Sequence, residues 1–306
     1  MNTSPTITRT LLAGLCFLAL QACDLQTITN QATARTVAVS TLLTTPAVEV
    51  KGAAIAGTGL DASIPPFDAG VFLDAGVFLT DAGIVIPEQN LAFVFFGQRQ
   101  GDAPDAPVTG TAGATAKLKE VSGPTFALDD QGSGTYALSP DAGFVYKPNA
   151  TYQFEFALGA QVFLAEVERV PSKENIPEFH PAAGYLELDA GVTGTAFTFA
   201  RPDPPQGQNR NFGFVNVFPV GAQGQGQPTY TNIPTTPLGF IKLLLAPSEW
   251  TKTVVEIPGS AFPDPDTNYV IVLQSAKLGG PKSDNLFSGS AILAGTADVA
   301  IVKTRK

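Results

Sequence analysis

The sequence predicts an all-β protein, either a β-sandwich or an all-β sheet closed on itself. Three observations predict this class. The 306-residue chain consists of many short apolar runs, each broken by Gly, Pro, Asp or Asn. It contains 30 glycines and 25 prolines. Charged residues make up 15% of the chain, against about 25% in ordinary globular domains. This combination is typical of short strands joined by tight turns.

The amino terminus predicts export from the cytoplasm. A polar start with one positive charge, Arg9, precedes the uncharged apolar run 11–20. This run is shorter than the roughly 20 residues that a membrane-spanning helix needs. A charged start, a short apolar middle and a small residue at the end indicate a secretory signal peptide over residues 1–22. In its ordinary form such a signal would be cut near Ala19 or Ala22.

The last four residues of this region, Leu-Gln-Ala-Cys at 20–23, resemble the lipobox of bacterial lipoproteins. The resemblance implies cleavage before Cys23 and acylation of that cysteine, which then becomes the first residue of the mature protein. The chain has one other cysteine, Cys16, and it lies inside the predicted signal. The exported protein is therefore expected to have no disulfide. The family usually carries three acyl chains, and two or more chains give stable membrane attachment.

The same resemblance implies the bacterial cell envelope as the location. In some enteric lipoproteins an acid directly after the cysteine retains the protein at the inner membrane, and Asp24 occupies that position. That rule does not hold in all Gram-negative groups, so both membranes stay open, with the outer membrane slightly favoured. The formal net charge of −9 argues against nucleic-acid binding and against electrostatic docking on anionic lipid. The predicted membrane contact is the covalent lipid.

The rest of the chain is long enough for two domains. We predict a lipid-anchored tether over residues 23–35, a first β-sandwich domain over 36–172 and a second over 184–304. The polar, proline-flanked segment 173–183 is predicted to be the linker between them. An insertion at about residues 61–87 is expected within the first domain.

The tripeptide Asp-Ala-Gly recurs three times in that insertion, at 68–70, 74–76 and 81–83, and again at 141–143 and 189–191. Asp followed two residues later by Gly suits a tight turn, because the Asp side chain caps its own backbone and Gly accepts a positive φ. We expect β-turns at these places. A row of carboxylates that binds Ca²⁺ is the alternative.

An internal repeat connects the two halves. Pro148-x-x-x-Tyr152 and Pro265-x-x-x-Tyr269 each begin an alternating apolar strand. Both resemble the E–F corner and F strand of fibronectin type III domains. The resemblance implies two immunoglobulin-like sandwiches, with Tyr152 and Tyr269 as tyrosine-corner residues whose hydroxyls bond to backbone a few residues upstream. Alternation predicts that the residues two and four positions further on are buried, namely Phe154, Phe156, Ile271 and Leu273. A generic hairpin is the alternative.

Few residues are candidates for chemistry. The one histidine, His180, lies in the predicted linker, where we expect it to be exposed. Asp264, Asp266 and Asn268 have the alternate spacing of the start of an EF-hand loop, but the glycine and the final carboxylate of that motif are lacking. We therefore expect them to shape the turn before Tyr269, and they are only weak candidates for a metal site.

Together these observations predict a cell-envelope lipoprotein that acts in binding or as a structural spacer. No enzymatic activity, catalytic residue or cofactor is predicted, and the sequence does not specify a protein or glycan partner. A carbohydrate- or calcium-dependent binding module is the alternative. A hydrolase that uses two carboxylates is a less favoured one, and a cleft with two facing acids would indicate it.

Overall fold

The computed structural model describes residues 25–51, 78–80, 83–86, 88–101, 106–221, 224–225, 227–233, 243 and 246–305. The protein is all-β, as the sequence predicts. Its strands are β1 (Thr36–Thr45), β2 (Val48–Lys51), β3 (Phe78–Thr80), β4 (Gly83–Ile86), β5 (Gln89–Arg99), β6 (Val108–Gly110), β7 (Thr115–Glu120), β8 (Thr125–Gly132), β9 (Thr135–Leu138), β10 (Tyr152–Leu158), β11 (Gln161–Val167), β12 (Leu186–Asp189), β13 (Thr195–Ala200), β14 (Phe212–Gly221), β15 (Gly224–Gln225), β16 (Tyr230–Thr231), β17 (Val254–Pro258), β18 (Asn268–Pro281) and β19 (Ala291–Arg305).

Helical structure is short. Helix α1 (Leu25–Thr33) precedes β1, and 3-10 turns lie at Pro140–Ala142, Pro177–Phe179, Pro247–Glu249 and Gly259–Ala261. Three of these four turns begin with proline, whose fixed φ and missing N–H suit the first position of a helical turn. Within the described part of the chain, no helix has the length and apolar character needed to cross a membrane.

One large sheet connects both halves of the chain. Its strands run in the order β12-β19-β1-β5-β9-β8-β7-β10-β11-β18-β14-β15, and β18 also pairs with β19. Each strand in the series from β19 through β1, β7 and β11 to β18 pairs with the next one. Because β18 also pairs with β19, these pairings form a closed ring. A second sheet pairs β13 with β17, and a third has the order β2-β4-β3.

The C-terminal hairpin β18–β19 pairs with strands from both halves of the chain. Near its open end, β18 pairs with β14 from Asn268 to Ala276. Near its closed end, β18 pairs with β11 at Pro281, and β19 lies parallel to β1 from Ala291 to Thr296. The last strands of the chain thus complete the sheet that begins with the first.

Two main cores follow from this arrangement. The first is rich in aromatic side chains and also includes Leu286, Ile292 and Ala294 from the C-terminal hairpin. The second lies between the β14–β18–β19 face and the β13–β17 pair. The four residues predicted from alternation are all fully buried, namely Phe154, Phe156, Ile271 and Leu273. The opposite face of β18 is buried as well, which explains why this strand is apolar at consecutive positions.

The segments predicted as linker and tether contain ordered structure. In segment 173–183, Ile176 and Phe179 are buried in the second core. Most of the tether predicted over 23–35 is helix α1. The division into domains over 36–172 and 184–304 stays a prediction, and the β18–β19 hairpin crosses it, because part of this hairpin packs in the first core.

The described Asp-Ala-Gly copies lie at turns. Gly143 (φ 68°) ends the 3-10 turn at Pro140–Ala142, and Gly191 (φ 59°) follows β12. Gly83 of the third copy begins β4. The copies at 68–70 and 74–76 lie outside the described residues, as do the predicted signal peptide and Cys23.

Candidate functional site

A shallow cleft opens beside the β13–β17 pair and is the candidate binding site. Its volume is about 420 Å³, and its lining residues come from the loop before β13, from β17 and from the following 3-10 turn: Val192, Thr193, Gly194, Thr195, Glu256, Pro258 and Ser260. The pairing of β13 with β17 shifts register between Thr195 and Phe197. Such irregularities often occur next to functional sites, because they redirect side chains.

Backbone packing fixes the shape of this cleft. The Gly259 N–H donates to the Gly194 carbonyl at 2.7 Å, joining the two loops that line it. A Cβ on Gly259 would lie 1.9 Å from the Val192 carbonyl oxygen, so only glycine fits. Gly194, with φ 89°, has a conformation that other residues rarely adopt.

The chemistry of the cleft is that of hydroxyls and one carboxylate. Thr193, Thr195, Ser260 and Glu256 are all exposed, and the Thr195 hydroxyl lies 3.5 Å from Glu256 Oε2. These groups can donate and accept hydrogen bonds at an open surface. Glu256 is the only acid among the residues that line the cleft, so the cleft lacks the two facing acids expected of the hydrolase.

A buried carboxylate joins the predicted linker to the last strand. The Asp298 side chain is fully buried and accepts from the backbone N–H groups of Ile176 (2.8 Å) and Val299 (3.0 Å). Lys173 Nζ lies 2.9 Å from Asp298 Oδ1, and His180 Nε2 lies 3.0 Å from the same oxygen. His180 is exposed, as the sequence predicts, and one edge of its ring also contacts this buried acid.

A second buried ion pair lies close by. The fully buried Arg201 guanidinium pairs with Glu174 through two nitrogens, at 2.8 and 2.7 Å, and also donates to the carbonyls of Trp250 and Asn211. The Ser275 hydroxyl donates to Glu174 Oε1 at 2.7 Å. These two carboxylate sites, which we name the Asp298–Glu174 clasp, hold segment 173–180 against the second core. The sequence analysis did not predict these two sites. The one acid in the apolar run 297–302, Asp298, could have indicated a buried polar contact.

The two predicted corner tyrosines occupy equivalent positions. Tyr152 and Tyr269 are both fully buried, and each begins or nearly begins its strand. The Tyr152 hydroxyl accepts from the Lys147 N–H at 2.8 Å, and the Tyr269 hydroxyl accepts from the Asp264 N–H at 3.0 Å. Each bond spans five residues.

The repeat extends to the backbone of each corner. The residues three positions before the tyrosines, Asn149 and Asp266, both have positive φ, at 62° and 50°. Asn and Asp are the non-glycine residues that tolerate this conformation best. The Phe262 ring packs edge-on against Tyr269 at 5.4 Å, and the Tyr146 ring stacks on Tyr152 at 6.0 Å. These contacts are structural and lie within the two cores.

The environment raises the pKa of each corner phenol. Burial is the main cause of the raised pKa of Tyr269, and the Asp264 N–H opposes it by stabilising the phenolate. Burial also raises the pKa of Tyr152, opposed by the Lys147 N–H. Phenols are already neutral at ordinary pH, and the raised pKa values extend the neutral range of both hydroxyls to higher pH.

The weak metal candidates Asp264, Asp266 and Asn268 lie in the turn before Tyr269 and at the start of β18. In the described residues, no group of three or more His, Cys, Asp or Glu side chains is placed to hold a metal ion. Asp264 accepts from Thr304 through its backbone oxygen, and the Thr267 hydroxyl donates to the Pro265 carbonyl. These contacts shape the turn before Tyr269.

Helix α1 is bonded to the C-terminal hairpin, a contact that sequence reasoning missed. Gln31 Nε2 donates to the Ser283 carbonyl at 3.3 Å, and the Ser288 N–H donates to the Gln31 carbonyl at 2.9 Å. On the other side, Arg99 donates from its backbone to Arg35 and from its guanidinium to Ala34. The partners are more than 60 residues apart in sequence, so no local pattern indicates them.

The strand pairings and these sites define an all-β protein of the β-sandwich class. No protein-family model matches the chain, and no curated protein sequence matches it. Among solved structures, the chain is similar to the chicken CNTN1 FN1–FN3 domains, with 9% sequence identity and a TM-score of 0.24. The match covers 71% of this chain and 63% of that chain, which is less than two thirds of its length. The conclusions below therefore depend on the contacts of this chain alone.

Proposed function

We propose that this protein is a lipid-anchored structural spacer of the bacterial cell envelope, without catalytic activity, which holds a binding surface away from the membrane. The observation that carries the proposal is the shared hairpin β18–β19. A spacer must keep its two ends at a fixed distance from each other. A hairpin that packs in both cores connects the ends more rigidly than a flexible linker does. The Asp298–Glu174 clasp adds a second rigid connection.

The dimensions of the hairpin fit this role. β18 has 14 residues, and a strand rises about 3.3 Å per residue, so the hairpin is about 45 Å long. One end contacts helix α1, which follows Cys23 closely in sequence. The other end, at Tyr269, lies near the cleft, because Phe262 follows the 3-10 turn Gly259–Ala261 and packs on Tyr269.

The lipid anchor is tested by labelling. Cells that express the full chain are fed a radioactive or alkyne-bearing fatty acid. We expect label on the wild type and none on Cys23→Ser, because acylation needs that thiol. Cys16→Ser is the matched control, since Cys16 lies in the predicted signal, and it should be labelled like the wild type. Equal label on Cys23→Ser would overturn the lipid anchor.

A second candidate function, glycan binding, is favoured by the hydroxyl and carboxylate lining of the cleft. Sugar hydroxyls bond to such groups, and Glu256 can accept two of these bonds at once. A glycan array with the full chain tests this function. Glu256→Gln should weaken any binding, and Glu187→Gln, an exposed acid on β12, should not. Equal loss in both variants, or no binding, would contradict it.

A further inference from the structure

We propose that the end of the molecule formed by helix α1 and the turn 282–290 of the C-terminal hairpin faces the lipid bilayer. This end is named the anchor end. The inference rests on the proposed lipid anchor at Cys23 and adds the orientation of the protein on the membrane. The occupant of the anchor end is the lipid surface itself.

The first argument is the short connection between the anchor and the fold. Only Asp24 separates Cys23 from Leu25, where α1 begins. Two Cα–Cα steps span at most about 7.6 Å, and the six helical steps from Leu25 to Gln31 add about 9 Å. The Cα of Cys23 therefore lies within about 17 Å of the Cα of Gln31, whatever path residues 23 and 24 take.

The second argument is that α1 is held in place where it meets the fold. Gln31 bonds to both Ser283 and Ser288 of the turn. Directly after the helix, Thr36 accepts from the Phe287 N–H at 2.7 Å and continues into β1. The helix cannot act as a loose tether while these bonds are made. The acyl chains therefore hold the turn close to the bilayer.

The third argument is the surface chemistry around this end. Lys282, Asp284, Asn285, Ser288 and Gly289 of the turn are exposed, and the one positive and one negative charge among them cancel, so headgroups meet a polar surface without net charge. Near the start of β1, Val39 is 47% exposed. On the neighbouring strands Val108 is 40% exposed and pairs with Arg99, and Phe95, opposite Val39, is partly exposed. An apolar patch next to an acylated residue suits the boundary of headgroups and acyl chains.

The opposite end of the hairpin then points away from the membrane. The cleft lies near the Tyr269 end of β18, and the turn lies at the other end of this strand, which is about 45 Å long. An orientation with the anchor end on the bilayer presents the cleft to the aqueous space of the envelope.

The experiment measures hydrogen exchange on anchored protein. Mature chain beginning at Cys23 is coupled through its one thiol to a maleimide lipid in vesicles of phosphatidylethanolamine and phosphatidylglycerol. The reference is Cys23→Ala in solution. We expect slower exchange in α1, in 282–290 and in 106–110, and no change at 192–195 and 256–260. Unchanged exchange at the anchor end, or slowing at the cleft, would overturn the orientation.

A linker variant tests the role of the short connection. Twenty Gly/Ser residues inserted after Asp24 span about 25 Å on average and release the fold from the anchor. We expect the factor by which anchoring slows hydrogen exchange at the anchor end to be at least threefold smaller with the inserted linker than without it. The chain should remain bound to the vesicles. Equal slowing with and without the linker would overturn the argument. Chemical coupling makes the outcome independent of cellular acylation, so a failed fatty-acid label and a failed orientation are distinguishable.

Discussion

Each tyrosine corner is built from a buried tyrosine whose hydroxyl bonds to the backbone five residues upstream. The Pro-x-x-x-Tyr spacing indicates a buried tyrosine bonded to backbone, and Tyr152 and Tyr269 have this geometry. The spacing does not indicate the direction of the bond. In both corners the hydroxyl accepts from a backbone N–H, and the Tyr269 hydroxyl also donates to the Asp264 carboxylate at 3.5 Å. The positive φ of Asp266 and Asn149 belongs to the same turns, and the sequence motif does not contain this information.

Tyr269→Phe is expected to lower the free energy of unfolding by about 0.5–1.5 kcal/mol, the net contribution of an ordinary hydrogen bond. The substitution removes the partly buried bond from the Asp264 N–H, while the ring packing on Phe262 stays intact. Denaturant unfolding measures the change. Tyr230→Phe is the matched control, because the half-buried Tyr230 hydroxyl makes no hydrogen bond in the described structure. Similar losses in both variants would show that the corner bond is not the cause.

The same corner predicts a pH dependence. The pKa of Tyr269 is raised in the folded protein, so above about pH 10 the unfolded chain loses a proton that the folded chain retains. Stability therefore falls as pH rises above that value. Tyr269→Phe has no such proton to lose, and its stability should fall less steeply between pH 10 and 11. Parallel curves for the two proteins would contradict this result.

Asp298 is a residue that sequence reasoning missed for a physical reason. Its partners Lys173, Ile176 and His180 are more than 115 residues away, and only the fold brings them together. A charged residue inside an apolar strand indicates that it has a buried partner, but the sequence does not show which residue that partner is. The same holds for Arg201, which directly follows β13 and pairs with Glu174.

Asp298→Ala is expected to destabilise the protein by about 3–5 kcal/mol. The buried N–H groups of Ile176 and Val299 lose their acceptor, and each such unsatisfied group costs about 1–3 kcal/mol. Thermal or denaturant unfolding measures the loss. Asp189→Ala is the matched control, since the Asp189–Arg305 pair is exposed and should contribute at most about 1 kcal/mol. A change below about 1 kcal/mol in Asp298→Ala would mean that the clasp is not rigid.

At the scale of elements, the C-terminal hairpin departs most from its sequence pattern. The apolar runs predict strands at 269–274 and 297–303, whereas β18 and β19 extend over Asn268–Pro281 and Ala291–Arg305. Gly279-Gly280-Pro281 reads as a turn, because Gly and Pro usually end strands. In the structure Gly279 stays in the strand because β11 crosses closely there. A Cβ on Gly279 would lie 2.2 Å from the Glu166 carbonyl oxygen.

Two neighbouring glycines give a sharp test of this crossing. Gly279→Ala places a methyl group against the backbone of β11, and overpacking of this kind costs about 1–3 kcal/mol. Gly280→Ala is the control, because the nearest atom to its Cβ is 4.0 Å away. Its effect should stay within about 0.5 kcal/mol. Equal unfolding curves for the two variants would show that β11 and β18 do not approach closely in solution.

At the scale of the whole molecule, the fold class follows from the sequence, whereas the division into two domains stays a prediction. Short apolar runs and turn residues are local features, and they correctly predict an all-β protein. The pairing of β1 with β19 joins residues about 250 apart and runs parallel, which no local signal indicates. The two Pro-x-x-x-Tyr corners suggest two equal domains. In the structure, the second corner begins a hairpin that also completes the first core.

This shared hairpin predicts how fragments behave. The fragment 24–172 lacks Leu286, Ile292 and Ala294 of the first core and leaves β1 without its parallel neighbour. We expect it to show no native-like hydrogen-exchange protection in β10 and β11. The same fragment with residues 277–296 appended through a Gly/Ser linker should recover protection at least tenfold, because the missing strands return. A linker of equal length without the hairpin should not. Full protection in 24–172 alone would establish a separate first domain that ends before 173–183, and would refute the spacer argument built on the hairpin.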